Sequence, residues 1–237
     1  MDDGCRPVLP TSDCEPGTMA LVGETSCRDV ASCGEGTWGD IPAGVDDEHV
    51  DGEYTGGASD GSADHPWTTI AEAIAAAAPG AIVAIAAGDY VEDLFVHAKA
   101  DLQIWGRCPG MVSLSGLVAT EQPAAIFITD EAPGTTVRSL AITGPKRGLM
   151  TVAQDTLLER VWIHDTERQG IFATDLIGTS AGLTLRDSLV EKTVSTAVFV
   201  AGSAGVVERS VVRDTLELDG ELGRGVYVDR SVRSDAT

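Results

Sequence analysis

Short runs of β-branched and other apolar residues recur along the second half of the chain at a nearly constant interval. The longer run is a phrase with polar or charged residues at its second and third positions and apolar residues at its ends. Its copies are Val137-Arg-Ser-Leu-Ala-Ile142, Leu158-Glu-Arg-Val-Trp-Ile163, Leu185-Arg-Asp-Ser-Leu-Val190, Val207-Glu-Arg-Ser-Val-Val212 and Val228-Asp-Arg-Ser-Val232, which start 21, 27, 22 and 21 residues apart. A second phrase keeps the same interval, as Gly148-Leu-Met, Gly170-Ile-Phe, Ala197-Val-Phe and Gly225-Val-Tyr. Two short strands per period of this length predict the coils of a stacked solenoid.

A single amphipathic helix is predicted directly before the first strands. Thr69 and Glu72 form a capping box at its start, and Pro79-Gly80 ends it, so the helix covers about residues 69–78. Its position suits it to cover the open end of the first coil, which otherwise exposes core side chains and unpaired backbone.

The same region carries a family resemblance. Pro66-Trp-Thr-Thr-Ile-Ala-Glu-Ala-Ile74, Pro79-Gly-Ala-Ile-Val-Ala-Ile85 and Ala87-Gly-Asp-Tyr-Val-Glu92 resemble the first coil of the right-handed parallel β-helix proteins of the pectin-lyase-like superfamily. The resemblance covers residues 50–237 and implies an all-β fold, a right-handed parallel β-helix (solenoid) with an N-terminal capping α-helix; the cysteine positions add a small cysteine-bearing N-terminal extension. It leaves the activity open, because lyases, hydrolases, esterases, epimerases, adhesins and inert scaffolds share this fold.

Three segments are expected along the chain: a loop-rich, cysteine-bearing module over residues 1–50, a Gly- and Asp-rich linker over 51–66, and the β-helix over 67–237. The last copy of the repeat opens a new coil near the end of the sequence. We therefore expect the native β-helix to continue beyond Thr237.

The charge of the chain limits its partners. With 37 acidic and 16 basic residues the net charge is −21, which repels phosphate backbones and excludes a nucleic-acid-binding function. No apolar run is long enough to span a bilayer, so no membrane span is expected. Aromatic residues make up only 5% of the chain, which predicts a narrow core of aliphatic side chains.

Cysteine placement favours an oxidising compartment. Cys5, Cys14, Cys27 and Cys33 lie in a segment with too little apolar periodicity to fold by burial, so disulfides are expected there. Zinc is the alternative, but no Cys-x-x-Cys occurs. Cys108 can bridge back to the module and leave one thiol over. We expect an extracellular or cell-surface protein whose signal segment is absent from this sequence.

Charges alternate down the predicted stack. Equivalent positions of adjacent coils lie about 4.8 Å apart, so each column is a list of contacts. The expected pairs are Arg138–Glu159, Glu159–Arg186, Arg186–Glu208, Arg160–Asp187, Asp187–Arg209, His164–Glu191, Glu191–Arg213, Asp165–Lys192 and Lys192–Asp214. A one-coil slip would bring like charges together, so these ladders predict a fixed register.

Some members of these ladders are also candidates for catalysis. Carbohydrate-active β-helices that resemble this chain use paired Asp residues, or Asp clusters that bind Ca²⁺ together with an Arg. Asp165, Asp187, Asp214 and Arg186 are the residues that such chemistry would use here. The competing interpretation is structural, because each of these Asp residues has a cationic neighbour in the ladder.

Two further sets are candidates for binding. Trp162, Leu189 and Val211 share a column that strand alternation can place on the outside, where an apolar stripe would suit sugar stacking or would be covered by another segment. Asp51, Asp60 and Asp64 could bind Ca²⁺, although they fit no defined calcium motif; no other cofactor is expected.

The features above favour a secreted or cell-surface scaffold that binds polysaccharide or a cell-surface component without catalysing its cleavage. The alternative is a polysaccharide-active enzyme, such as a Ca²⁺-assisted polyuronate lyase.

Overall fold

The computed structural model describes residues 6–118, 120–175, 180–220 and 223–230 of the 237-residue chain. In chain order, these residues form β1 (Thr18–Met19), β2 (Arg28–Asp29), β3 (Glu48–Val50), α1 (Ile70–Ala76), β4 (Ile82–Ile85), β5 (Gly88–Val91), β6 (Leu94–Val96), β7 (Gln103–Gly106), β8 (Val112–Ser115), β9 (Ala124–Ile128), β10 (Thr136–Arg138), β11 (Ala141–Gly144), β12 (Arg147–Thr151), β13 (Thr156–Glu159), β14 (Trp162–Thr166), β15 (Ile171–Thr174), β16 (Gly182–Arg186), β17 (Leu189–Thr193), β18 (Thr196–Ala201), β19 (Ala204–Glu208), β20 (Val211–Arg213) and β21 (Arg224–Asp229).

Three parallel sheets form the body of the protein. Sheet 1 has the order β19-β16-β13-β10-β7-β4-β3, sheet 2 the order β20-β17-β14-β11-β8-β5, and sheet 3 the order β21-β18-β15-β12-β9-β6. Consecutive strands of the chain therefore lie in different sheets, and each coil passes through sheets 1, 2 and 3 in turn. The chain is an all-β, right-handed parallel β-helix, as the repeat and the resemblance predict.

The core is a stack of aliphatic layers. Val137, Leu158 and Leu185 occupy one inward column of sheet 1 and are fully buried. Ile142, Ile163 and Val190 form the matching column of sheet 2, and both columns belong to the main apolar core. Side chains of this size fill the space between three sheets without large rings. The low aromatic content of the sequence is therefore a consequence of the narrow core.

One residue makes the corner between sheets 1 and 2 in each repeat coil. Ser139, Arg160, Asp187 and Arg209 stand at this position with φ of 51°, 54°, 49° and 44°. The left-handed conformation turns the chain sharply enough for the next strand to start in a new sheet. It is an unfavourable conformation for residues other than Gly, Asn or Asp.

The ladders of opposite charge are confirmed in part. Backbone pairing aligns Arg138, Glu159, Arg186 and Glu208, and ion pairs join consecutive members at 3.3, 3.8 and 2.5 Å. Asp187–Arg209 and Glu191–Arg213 also form.

Other predicted pairs are wrong among the described residues. His164 bonds its own neighbour Asp165 at 2.7 Å instead of Glu191, and Asp214 contacts Arg213 of its own coil at 3.8 Å instead of Lys192. Left-handed corners at Asp165, Lys192 and Asp214 direct these side chains away from the strand direction. Arg160–Asp187 and Asp165–Lys192 do not form either.

The fifth copy of the repeat is also placed wrongly by the sequence. Val228 pairs with Val200 in sheet 3, whereas the first residues of the other copies lie in sheet 1. The fifth copy resembles the phrase because every strand of this fold alternates between inward and outward side chains.

Helix α1 covers the N-terminal end of the coil stack, and Ile70, Ala73 and Ile74 pack into the main core. The Glu92 carboxylate accepts hydrogen bonds from the N–H groups of Ile70 and Ala71 at 2.8 and 2.9 Å. Burial raises the pKa of Glu92, and these hydrogen bonds act against that rise. Glu92, the last residue of the motif Ala87-Gly-Asp-Tyr-Val-Glu92, therefore caps the N-terminus of the helix.

Strand β3 is the first strand of sheet 1 and pairs with β4. It lies inside the segment 1–50 that was predicted as a separate module, so the coil begins before the linker 51–66. That linker loops out and returns, and Val50 forms a bridge with Trp67.

Two disulfides organise the N-terminal segment. Cys14–Cys27 closes the loop that carries β1, and β2 follows directly after it. Cys33–Cys108 ties the segment to the coil stack, as predicted for Cys108. Arg107 adds a hydrogen bond from Nε to the Cys33 carbonyl at 3.0 Å. No helix in the described residues is long and apolar enough to cross a membrane.

Candidate functional site

One outward-facing column of sheet 3 carries a large apolar side chain in every coil. Backbone pairing places each member beside the next, and we call the column the aromatic ladder. Its members are Phe95, Phe127, Met150, Phe172, Phe199 and Tyr227. All four phenylalanines of the chain belong to it. Each member is half-buried or exposed. In β6, β9, β12, β15 and β18, the residues directly before and after the ladder member in the chain are buried.

The rings of the ladder contact one another along the stack. The Phe172 and Phe199 rings are parallel within 3°, with centroids 4.7 Å apart, and Tyr227 follows at 5.4 Å. Phe95 and Phe127 form a second group, with centroids 5.9 Å apart and a 39° tilt. Coil spacing alone brings these rings into stacking range, so the contacts follow from the register.

Guanidinium groups lie along one side of the ladder. Arg147 lies over the Phe172 ring, 4.9 Å from its centroid, and Arg224 lies over Tyr227 at 5.1 Å. Arg147 Nε also donates to Gln169 Oε1 at 2.9 Å. Burial, followed by the nearby charge of Arg168, lowers the pKa of Arg147. The low pKa means that charge on this guanidinium is poorly solvated where it stands.

The other side carries hydroxyl groups, an imidazole and a carboxylate. The His97 ring stacks on Phe95 with centroids 5.5 Å apart, and its Nε2 lies 3.5 Å from Glu131. Thr129 Oγ1 lies 3.2 Å from His97 Nδ1, and Thr174 occupies the equivalent position two coils further on.

The ladder has the shape of an extended ligand. Five coil steps of about 4.8 Å make it about 24 Å long, and it is one side chain wide. Phe172 and Phe199 cover each other's faces and therefore present mainly their edges, which carry the positive end of the ring quadrupole. Such edges complement hydroxyl oxygens. An apolar ridge flanked by a few hydrogen-bonding groups is suited to a long polyhydroxylated chain.

The predicted stripe of Trp162, Leu189 and Val211 does lie on the outer side of sheet 2, but the N-terminal segment covers it. Met19 and Val30 pack against it, and Leu189 is fully buried. Binding by these three residues would require the segment to move away, so the alternative expectation of a covered stripe describes the observed arrangement.

A buried carboxylate holds that segment in place. Glu191 is 1% exposed and accepts from the Gly17 N–H at 3.0 Å, from Trp162 Nε1 at 2.8 Å and from Arg213 Nε at 2.7 Å. It thereby links the segment to two adjacent coils. A Cβ on Gly17 would lie 3.2 Å from the Trp162 ring, so the segment approaches the indole as closely as a glycine allows.

The carboxylates proposed for catalysis do not converge. Asp187 lies at the corner between sheets 1 and 2, where it pairs with Arg209, while Asp165 and Asp214 lie at the other end of sheet 2, Asp165 within β14 and Asp214 directly after β20. Arg186 points along its ladder to Glu208. The three carboxylates are therefore divided between two corners, and each has a structural partner.

The proposed calcium ligands are also used locally. Asp51 accepts from the Glu53 N–H, and Asp60 accepts from the Ser62 N–H, both at 3.0 Å. Asp64 makes no side-chain hydrogen bond with them. Within the described ranges, no three His, Cys, Asp or Glu side chains group together as metal ligands.

Sequence reasoning missed the ladder although its signal was present. The last residues of the second phrase, Met150, Phe172, Phe199 and Tyr227, are four of its six members. The phrase gives the interval, but the direction of each side chain depends on where the strand starts. If the residue before each of these four had been known to point into the core, strand alternation would have placed the four on the outer face of the sheet.

Comparisons with known proteins bear on the fold. No family model matches the chain, and no curated protein matches it. Among solved structures it is similar to a pectin methylesterase mutant in complex with a hexasaccharide, with a TM-score of 0.51 and 15% identity. The match covers 79% of this chain and 66% of that one, so this chain spans slightly less than two thirds of its length. This chain has a right-handed parallel β-helix fold, which it shares with that pectin methylesterase.

Proposed function

We propose that this protein binds polysaccharide along the aromatic ladder and does not cleave it. The observation that carries the proposal is the placement of all four phenylalanines of the chain in one outward column. Phenylalanine is among the residues most often buried, and the core of this protein uses none. The ladder members are at least partly exposed, and contiguous apolar surface of this kind marks binding sites.

Polysaccharide is the ligand that best fits the shape and chemistry of the ladder. The strip is long and narrow, presents ring edges, and has hydrogen-bonding groups such as Gln169 and Thr129 beside it. A folded protein partner would require a broader apolar patch. The structurally similar pectin methylesterase was crystallised with a hexasaccharide, which is consistent with a polymer ligand on this fold.

Binding without cleavage is supported by the side chains of the ladder. They are four phenyl rings, one phenol and one thioether, and none carries a carboxyl group. Glycoside hydrolysis ordinarily uses two carboxyl groups that flank the bond. The Asp residues predicted for catalysis lie at corners of the coil, in ion pairs.

We place this function outside the cell or on its surface. Two disulfides hold the N-terminal segment, and such bonds persist in oxidising compartments. Polysaccharides of cell walls and capsules are also found there.

Titration calorimetry tests the proposal. Polygalacturonate, methyl-esterified pectin and a neutral β-glucan are the probes, and at least one is expected to bind. Replacing both Phe172 and Phe199 by Leu keeps apolar bulk but removes the ring edges, and is expected to weaken binding about tenfold, or about 1.4 kcal/mol. Val91→Ala, at an exposed site on sheet 2, is the matched control and is expected to bind normally.

Two results would overturn the proposal. One is unchanged affinity in the folded double variant. The other is turnover of the polymer. Release of an unsaturated product that absorbs in the ultraviolet, by an activity that is lost on chelation, would identify the lyase alternative. Release of methanol from pectin would identify an esterase.

A further inference from the structure

A cavity lies beside Trp162, where the N-terminal segment crosses the outer side of sheet 2. Its volume is about 180 Å³. Its apolar walls come from both the segment and the coil stack, through Pro16, Val30, Ala31, Pro109 and Trp162. The segment therefore does not close completely over the stripe that it covers, and the space that it leaves is bounded mainly by apolar surface.

The walls of this cavity are held in place by the rest of the fold. The lining residue Gly17 donates its N–H to the buried carboxylate of Glu191 at 3.0 Å. The Trp162 indole donates to the same carboxylate at 2.8 Å. Cys33, another lining residue, is joined to Cys108 of the coil stack by a disulfide. A ligand that enters a cavity formed in advance has little reorganisation to offset.

Three hydrogen-bonding groups of the lining are already used. The Gly17 N–H is bonded to Glu191, and the Thr18 hydroxyl donates to a backbone carbonyl at 2.8 Å. The Cys33 carbonyl accepts from Arg107 Nε at 3.0 Å. A sugar ring inside the cavity would leave hydroxyl groups without partners, which is costly in a partly enclosed space. The lining therefore disfavours a carbohydrate and favours a ligand with an apolar body.

Asp29 also lines the cavity, and its carboxylate is uncommitted. It makes no hydrogen bond or ion pair with the residues that the structure describes, since the neighbouring Arg28 pairs with Glu24 at 3.0 Å instead. Asp29 is exposed, so it marks the open side of the cavity. An ionised carboxylate offers only acceptors, and the net charge of −21 adds a general attraction for cations. The polar end of a ligand is therefore expected to be a cationic donor.

We propose that this cavity binds a small aromatic amine, with one ring inside the apolar walls and the ammonium group paired with Asp29. An apolar cavity of about 150 Å³ accepts a benzene ring, so the volume here suits one ring with a short substituent. A rigid ring loses little conformational freedom on binding and packs well against an indole. The ammonium group gains a charge-assisted hydrogen bond. This inference does not depend on the proposed function, because the aromatic ladder lies on sheet 3 and the cavity on sheet 2.

A nitrogen–proton correlation NMR titration of the full, oxidised chain with benzylamine tests the proposal. The backbone N–H signals of Gly17 and Ala31 and the indole N–H signal of Trp162 are expected to shift, with a Kd of about 1 mM or below. Benzyl alcohol has the same ring without the charge. It is expected to shift the same signals and to bind about tenfold more weakly.

Two variants separate the charge from the cavity. Asp29→Asn is expected to weaken benzylamine binding about tenfold and to leave benzyl alcohol binding unchanged. Ala31→Leu enlarges a lining side chain and is expected to abolish the binding of both compounds. Val91→Leu enlarges an exposed side chain on sheet 2 away from the cavity, so it is the matched control and is expected to bind both compounds normally.

The proposal is overturned if none of the three signals shifts up to the solubility limit of benzylamine. Equal affinity for benzylamine and benzyl alcohol contradicts the pairing with Asp29, and unchanged binding by the folded Ala31→Leu variant contradicts the location. If that variant does not fold, nuclear Overhauser effects between the benzylamine ring and Trp162 of the unmodified chain decide. They are expected at saturation, and their absence rejects the site.

Discussion

Removing the charge of Glu191 is expected to loosen the N-terminal segment from the coil. The carboxylate is 1% exposed, and its two oxygens accept from Gly17, Trp162 and the two donor nitrogens of Arg213. In Glu191→Gln the amide oxygen can keep the first two hydrogen bonds. Its NH₂ group then faces the donors of Arg213, so an ion pair in which both donor nitrogens bond Oε2 is replaced by a contact between donors.

The size of the effect follows from the burial of the pair. Removing one partner of a fully buried ion pair costs about 3 to 5 kcal/mol. The Arg213 side chain is 22% exposed, so water compensates part of its charge. We therefore expect Glu191→Gln to lower the free energy of unfolding by about 2 to 3 kcal/mol, which is in the range of a charged hydrogen bond. For a domain of this size the melting temperature falls by about 2 to 4 °C per kcal/mol.

Equilibrium urea unfolding, followed by circular dichroism, measures this loss. Limited proteolysis of the folded variant is a second readout, and cleavage within the N-terminal segment is expected to become faster. Asp214→Asn is the control, because Asp214 is 63% exposed and lies 3.8 Å from the same Arg213, so its loss costs less than about 0.5 kcal/mol. A Glu191→Gln variant within about 0.5 kcal/mol of the unmodified chain, with unchanged proteolysis, would refute the assigned role.

Three further predictions concern corners, charge and cross-links. Arg160→Asn relieves a left-handed corner at φ 54° and is expected to stabilise the chain by up to about 1 kcal/mol in urea unfolding, whereas Arg168→Asn, outside any such corner, is expected to have no comparable effect. Burial alone would raise the pKa of Asp93, but hydrogen bonds from Lys146 and other donors outweigh it and lower that pKa. Asp93→Asn is therefore expected to lower the free energy of unfolding most at pH 6, and its difference from the unmodified chain is expected to shrink as the pH falls below 4. A difference that does not change with pH contradicts the pairing. Cys33→Ala opens a cross-link between residues 75 apart and is expected to lower the free energy of unfolding by about 2 to 4 kcal/mol relative to the oxidised unmodified chain. Full reduction of the unmodified chain also opens Cys14–Cys27 and is expected to cost at least as much.

The register of the coils could be predicted from the sequence because the repeat carries it. Arg138, Glu159 and Arg186 alternate in charge at equivalent positions, and the structure pairs them. The prediction failed where backbone conformation intervenes. The left-handed corner at Asp165 turns its carboxylate toward His164 of the same strand, and a list of columns contains no information on φ.

The covering of the Trp162 stripe and the identity of the ladder were harder to predict for different reasons. The stripe is covered by Met19 and Val30, which lie more than a hundred residues away in a segment without a periodic pattern. The ladder lies within the repeat itself. There the pattern of Phe172 and Phe199 was visible, but both faces of the strand are apolar, so alternation alone does not say which face is outside.

The most direct test of the account is fluorine NMR of the protein labelled with 4-fluorophenylalanine. All four phenylalanines lie in the aromatic ladder, so every resonance of the labelled protein reports on the proposed binding face. Addition of a polysaccharide that calorimetry shows to bind is expected to shift or broaden these resonances, most strongly those of Phe172 and Phe199. If the polymer binds and all four resonances stay unchanged, the ladder is not the binding surface.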